Sequence, residues 1–271
     1  MPIRLVALDL DGTLLDSSER ISPANRAAVK RAQALGLHIV IITGRGADAP
    51  LAFGRELGLT DPIICAHGAL TKECPSGRER RHIAIPREYA TPLIEFAQAQ
   101  GLDTAVYTGE RFHRIAGMRS YMDDMRGPLW VDVPDLIPLA EQDSTFIRFF
   151  GRASVDAISA RFAGLPVHFK FETWGDFEEV AITSEEATKE RALAQLCDDL
   201  SIDPSDVMAV GDSRNDVPML RWAKIGVAMG NALPEVIAAA PYVTAGNDED
   251  GVARAIERFV FEPREGERRS A

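Results

Sequence analysis

Five short, mostly apolar runs constrain this chain more than any other feature: LVALDL (residues 5–10), HIVIIT (38–43), PIIC (62–65), VMAVG (207–211) and IGVAM (225–229). Each is too short for a buried helix, and continuous apolar character suits a strand covered on both faces. Between them, apolar residues recur at helical spacing. Helices are predicted over 22–35 with Gly36 as a stop, from Pro50 to Leu57, over 187–200, over 217–223 opened by Pro218, and over 251–261. Strand alternating with helix predicts an α/β fold, a doubly wound parallel sheet with helices on both faces. The first third reads as βαβαβ, and the last third resumes the same pattern.

Residues 82–186 break it. DTAVYTG, TFIRFFG, VHFKFET and EEVAIT mix polar with apolar positions, separated by helical segments near 87–100 and 154–163. Half-buried strands of this kind predict an antiparallel sheet with one covered face. The flanks, 1–81 and 187–271, therefore read as one core into which an α+β domain is inserted at 82–186. Trp130, Trp174 and the run Phe146 to Phe150 read as packing inside that domain rather than as a stacking platform. A chain of 271 residues is long enough to bury both cores.

A net charge of −11 and a pI near 5.0 disfavour nucleic acid as a partner, since such binders concentrate basic surface. The partner is expected to be a small molecule. Cys65, Cys74 and Cys197 form neither a CxxC pair nor a disulfide framework, which fits reduced thiols. The start, MPIRLVALDLDG, lacks the long apolar segment of a signal peptide, and no stretch approaches the roughly 18 apolar residues of a membrane span. A soluble, cytoplasmic protein with no membrane partner is expected. No part of the pattern specifies an oligomeric state.

In a parallel sheet the functional crevice lies beyond the carboxyl ends of the strands. The residues there are Asp9-Leu10-Asp11-Gly12-Thr13, Thr43-Gly44-Arg45, Ala66-His67-Gly68 and Gly211-Asp212-Ser213-Arg214-Asn215-Asp216. On a continuing strand Asp9 and Asp11 share a face and repel. With Asp212 and Asp216 they gather four carboxylates at one edge. A hard divalent cation such as Mg2+, which takes oxygen ligands, is the natural compensation.

These motifs (LDLDGTLL, TGR, the lysine of EATKERAL, GDSRNDVPML, and the closing VAMGNALPEV with NDEDGVARAI) resemble the haloacid dehalogenase (HAD) superfamily, in its Cof-type branch, class IIB, with a large inserted C2 cap. The resemblance covers almost the whole chain. It implies a Mg2+-dependent phosphatase for small phosphorylated metabolites, sugar phosphates foremost. Asp9 is implied to attack phosphorus and become an aspartyl-phosphate, while Asp11 protonates the leaving alkoxide and later deprotonates the hydrolytic water. Mg2+ is implied to lie on Asp9, the backbone carbonyl of Asp11 and Asp212, with Asp216 behind them or reached through water. The phosphoryl group is implied to be held by the Thr43 hydroxyl, the Leu10 and Gly44 backbone N–H groups, Asn215 and Lys189. The inserted domain is implied to act as a lid that excludes water and selects substrate. The same superfamily offers a phosphomutase as an alternative. From other classes come a phosphorylation-controlled signalling module and a catalytically idle binding protein.

Plainer readings stand beside these. Asp216, just before Val217-Pro218, fits a helix N-cap, and Thr43 fits a strand end. Lys189, four residues after Glu185, fits an exposed helix face. His67-Gly68 stands where many relatives carry Asn-Gly, and His67 reads as structural. His38, His82, His113 and His168 show no metal-ligand spacing.

Overall fold

The computed structural model describes residues 3–118, 120, 129–174 and 177–262. In chain order these form β1 (Leu5–Leu8), α1 (Pro23–Ala34), β2 (His38–Ile41), α2 (Asp48–Leu57), β3 (Ile63–Cys65), β4 (Leu70–Lys72), β5 (Glu79–His82), α3 (Arg87–Gln100), β6 (Thr104–Thr108), β7 (Arg111–Ile115), β8 (Trp130–Val133), β9 (Phe146–Phe150), α4 (Arg152–Phe162), β10 (Val167–Trp174) and β11 (Phe177–Ser184). The remainder is α5 (Lys189–Leu200), β12 (Val207–Gly211), α6 (Val217–Trp222), β13 (Ile225–Ala228), α7 (Pro234–Ala239), β14 (Tyr242–Val243) and α8 (Gly251–Ile256). The chain divides into two compact units, Met1–Arg80 with Thr188–Ala271, and Arg81–Ala187. Among the described residues no helix is long and apolar enough to cross a membrane.

The first unit is built on a parallel sheet of order β14-β13-β12-β1-β2. An isolated parallel bridge from Ile42 to Ile64 brings β3 alongside β2. Alternation along the strands divides the apolar side chains between two faces. Leu5, Ala7, Val40, Ile42, Val207 and Ala209 pack with Leu193 and Leu196 of α5, Leu220 of α6 and Val236 of α7. Val6, Leu8, Ile39 and Ile41, also fully buried, take the opposite face, where α1 meets β2 and α8. Each such aliphatic side chain contributes about 1.5–3 kcal/mol of burial free energy.

Several boundaries differ from the sequence-based expectation for physical reasons. β1 ends at Leu8, because the backbone turns after Asp9 and Gly12 sits at φ +71°, so Asp9 and Asp11 do not share a strand face. α2 starts at Asp48, two residues ahead of Pro50. Proline is tolerated there because N–H groups in the first turn have no intrahelical acceptor. α1 begins after Ser22, whose hydroxyl accepts from Asn25 N at 3.1 Å. β3, β4 and β5 form an additional small sheet. β5, with sequence ERRH, offers no apolar alternation by which to find it.

The second unit has a six-stranded sheet of order β10-β11-β9-β6-β7-β8. All its pairs are antiparallel except β7 with β8, which run parallel. Its core sets Val106, Ile147, Phe149, Val180 and Ile182 against Leu93, Ile94 and Ala97 of α3 and Ile158 and Phe162 of α4. The opposite sheet face carries Tyr107 stacked on Phe146 with centroids 4.7 Å apart, and Phe112 stacked on Trp130 at 4.9 Å. The Trp174 side chain lies outside those described.

Candidate active site

β12, β1 and β2 lie side by side and parallel, so their carboxyl ends open at one edge of the sheet. Asp9 N donates to Val210 O at 3.0 Å, which fixes Asp9 beside the end of β12. Gly12 then passes so close to Asp212 that a Cβ on it would lie 2.5 Å from Asp212 Oδ2. With φ at +71°, that position is open to glycine at no steric cost. Asn231 Nδ2 donates to Gly12 O at 2.8 Å, and Thr13 Oγ1 donates to Asp212 Oδ1 at 2.9 Å.

Lys189 opens α5 directly after Thr188, whose hydroxyl caps the helix by accepting from Arg191 N. Its side chain is 2% exposed, which removes the exposed-face reading. Nζ donates to Asp9 Oδ1 and to Asp216 Oδ1, both at 2.6 Å. The other Asp216 oxygen accepts from Asp212 N at 3.1 Å and Ser213 N at 2.9 Å. Asp216 thus closes a capping box with Ser213 one turn earlier, and its side chain makes no cap bond to α6.

Asp9, Asp212 and Asp216 each offer a carboxylate oxygen, all within 4.8 Å of one another. Three carboxylates against one ammonium leave a formal charge of −2 in a buried place. Burial pushes the Asp9 carboxyl well above the usual carboxylate range, with Asp216 and Asp212 adding to the rise and Lys189 opposing it. Asp212 is pushed up to about 6, by burial first and by Asp216 second, against the Thr13 hydrogen bond and Lys189. Burial pulls Lys189 down, but Asp216 and Asp9 outweigh it and hold the ammonium charged. An oxygen-only donor set with uncompensated charge of this size fits a hard divalent cation, with Mg2+ favoured where one or two carboxylates are offered.

The Asp11 carboxylate is not part of that cluster. It is half exposed and gripped by Arg45, whose Nε lies 3.0 and 2.8 Å from its two oxygens and whose Nη2 bonds Oδ1. Arg45 also reaches Glu19 at 3.2 Å. Thr43 is buried at the end of β2, its N donating to Ile64 O at 2.9 Å and its hydroxyl accepting from Arg45 N at 3.1 Å. Gly44 lies against the His67 ring, and Asn215 Nδ2 lies 3.4 Å from His67 Nδ1. Leu10 is buried in the turn after Asp9, and its carbonyl accepts from Leu15 N. Arg45, Thr13 and Asn231 sit inside motifs visible in the sequence, but nothing there announces their pairings. Glu19 carries no signal at all.

A parallel sheet whose strand ends gather a buried lysine and three acids is suited to holding a cation and a phosphoryl group together. The family described as haloacid dehalogenase-like hydrolase matches residues 6–256. The chain is 30% identical to the phosphatase YwpJ of Bacillus subtilis, across 95% of this chain and 100% of that protein. It is 28% identical to the 5-amino-6-(5-phospho-D-ribitylamino)uracil phosphatase YitU of the same organism, across 94% and 97%. Among solved structures it is similar to the HAD subclass IIB sugar phosphatase BT4131, with a TM-score of 0.78, 26% identity and coverage of 94% and 98%. The chain belongs to the haloacid dehalogenase-like hydrolases, in the Cof-type phosphatase branch. It is an enzyme, which displaces the signalling-module and idle-binder readings.

Proposed function

We propose that the protein hydrolyses small phosphomonoesters, sugar phosphates foremost, through a covalent phosphate on Asp9, with Mg2+ as cofactor. One observation supports this most: Asp9, just past β1, is bonded by buried Lys189 at 2.6 Å and lies within 4.8 Å of Asp212 and Asp216, whereas Asp216, which Lys189 also bonds, gives its other oxygen to two backbone N–H groups. Asp9 and Asp212 would hold the cation, with the backbone carbonyl of Asp11. When bound, it would neutralise phosphate charge so that a carboxylate can approach phosphorus. Asp216 already has both oxygens engaged by Lys189 and two backbone N–H groups, which suits a role in orienting Lys189 and the Asp212 loop.

In the reaction an Asp9 oxygen bonds to phosphorus as the ester P–O bond breaks, and Asp11 passes its proton to the departing alkoxide. Water then attacks the acyl phosphate, Asp11 takes a proton back, and inorganic phosphate leaves with Asp9 restored. Thr43, the Leu10 and Gly44 N–H groups, Asn215 and Lys189 would steady the phosphoryl oxygens. The unit at 81–187 is where we place substrate choice, acting as a lid. The sugar phosphatase and ribitylaminouracil phosphatase relatives favour small phosphorylated metabolites. A panel of such esters, run with wild type and Asp9→Asn, with and without Mg2+, tests the reading. Turnover by wild type with the metal alone is expected, and turnover retained by Asp9→Asn overturns the nucleophile.

A further inference from the structure

His67 occupies an improbable place for a residue without a task. It sits at φ 57°, ψ 22°, the left-handed region, and the preceding Ala66 is also left-handed at φ 51°. Two consecutive non-glycine residues in that region store strain, and strain of this kind gathers at functional sites. The turn is held on every side. His67 N donates to Thr43 O at 3.0 Å, and Ala66 N donates to Arg45 O at 2.8 Å. The next residue, Gly68, runs so near the start of α5 that a Cβ there would lie 2.3 Å from Thr188 O. The imidazole itself is buried, its Nδ1–Cε1–Nε2 edge so close to Gly44 that a Cβ at 44 would stand 2.4 Å from Cε1. His67 therefore touches the segment that carries Thr43 and Gly44, and its neighbour Gly68 touches the one that carries Lys189.

Its fourth neighbour is Asn215. In the arrangement present, Asn215 Nδ2 donates to His67 Nδ1 across 3.4 Å, a long bond, while Asn215 Oδ1 is buried with no hydrogen-bond partner among the described residues. An orphaned buried amide oxygen is costly. A half turn of the carboxamide exchanges the two atoms. Oδ1 then meets Nδ1, which donates to it when the proton sits on that nitrogen, and both N–H bonds of Nδ2 are released from the ring.

We propose that His67 is a positioning residue of the phosphoryl site, its Nδ1–H holding the Asn215 carboxamide oxygen so that the amide N–H groups face the phosphoryl oxygens. This rests on the reading of Asn215 as a phosphoryl ligand. It gives a use for the strained turn, since the left-handed backbone is what delivers the ring between Gly44 and Asn215.

His67→Leu keeps bulk and backbone strain but removes the ring nitrogens, whereas His67→Asn places a carboxamide atom near the Nδ1 position and tolerates left-handed φ. The measurements are kcat, KM for p-nitrophenyl phosphate and Ki for inorganic phosphate, all with Mg2+, plus the unfolding midpoint. His67→Leu is expected to weaken phosphate by about tenfold or more, the worth of one hydrogen bond to a charged group, with kcat less affected than KM. His67→Asn is expected to recover most of that affinity. In an Asn215→Ala background, His67→Leu is expected to add nothing, since the ring acts through the amide. Wild-type phosphate affinity in His67→Leu, or a full additional loss in the double variant, overturns the proposal. If Asn215→Ala itself leaves phosphate affinity unchanged, the parent reading of Asn215 fails and this one with it. A readout independent of variant folding is the imidazole 15N spectrum of the wild type. Saturating inorganic phosphate is expected to leave the proton on Nδ1, and a spectrum with Nδ1 unprotonated overturns the assignment.

Discussion

Removing Lys189 leaves Asp9 and Asp216 buried with nothing between them. Breaking a buried ion pair on one side costs about 3–5 kcal/mol, so Lys189→Met is expected to lower stability by that order in urea unfolding without metal. Added Mg2+ is expected to restore part of the loss, because a cation near Asp9 and Asp212 replaces some of the missing charge. Asp9→Asn works in the opposite direction. The folded protein raises the Asp9 carboxyl above its ordinary range, so the ionised form is unfavourable there, and the amide is expected to raise the unfolding midpoint at neutral pH while abolishing turnover. A lowered midpoint would show that Asp9 ionisation is not strained. The acids themselves were legible from strand-end position. The burial of Lys189 was not, because spacing from Glu185 describes only its own helix, whereas its depth comes from β1 and the 211–216 turn closing over it. The grip of Arg45 on Asp11 was equally hidden, since it depends on β1 stopping at Leu8.

At the scale of elements, Gly226 shows how tightly the sheet and its helices are fitted. A Cβ there would stand 1.8 Å from the Leu220 carbonyl oxygen, so β13 passes the backbone of α6 with no room for a side chain. Gly226→Ala is expected to force the two apart and to destabilise by about 1–3 kcal/mol or more, read as a lower denaturation midpoint. An unchanged midpoint would mean that the contact yields. Continuous apolar runs made β1, β2, β12 and β13 legible, as Ser22 and Gly36 did for α1. β7, with sequence RFHRI, and β8 were not legible. Their pairing is parallel and non-local, and neither has an apolar run that stands out from its surroundings. β5 is charged and exposed, so only its neighbour β4 reveals it.

For the molecule as a whole, the acid cluster couples stability to pH. An unfolded aspartate titrates near 3.9, whereas folded Asp212 titrates at about 6. The folded state therefore holds the extra proton between these values. Metal-free stability is expected to fall as pH rises from about 4 to about 6 and then to level, by an amount on the order of 2–3 kcal/mol from Asp212. Asp9 acts in the same direction. Mg2+ is accordingly expected to raise the unfolding midpoint more at about pH 7.5 than at about pH 5, and a metal effect independent of pH would contradict this. The pairing of Leu5–Leu8 with Val207–Val210 has one more implication. Asp9 stands roughly 180 residues before Lys189 and still further before Asp212, so the cluster exists only where two distant stretches of sequence meet. An N-terminal fragment that stops short of β12 is accordingly expected to lack the acid cluster and, with it, turnover of phosphate esters.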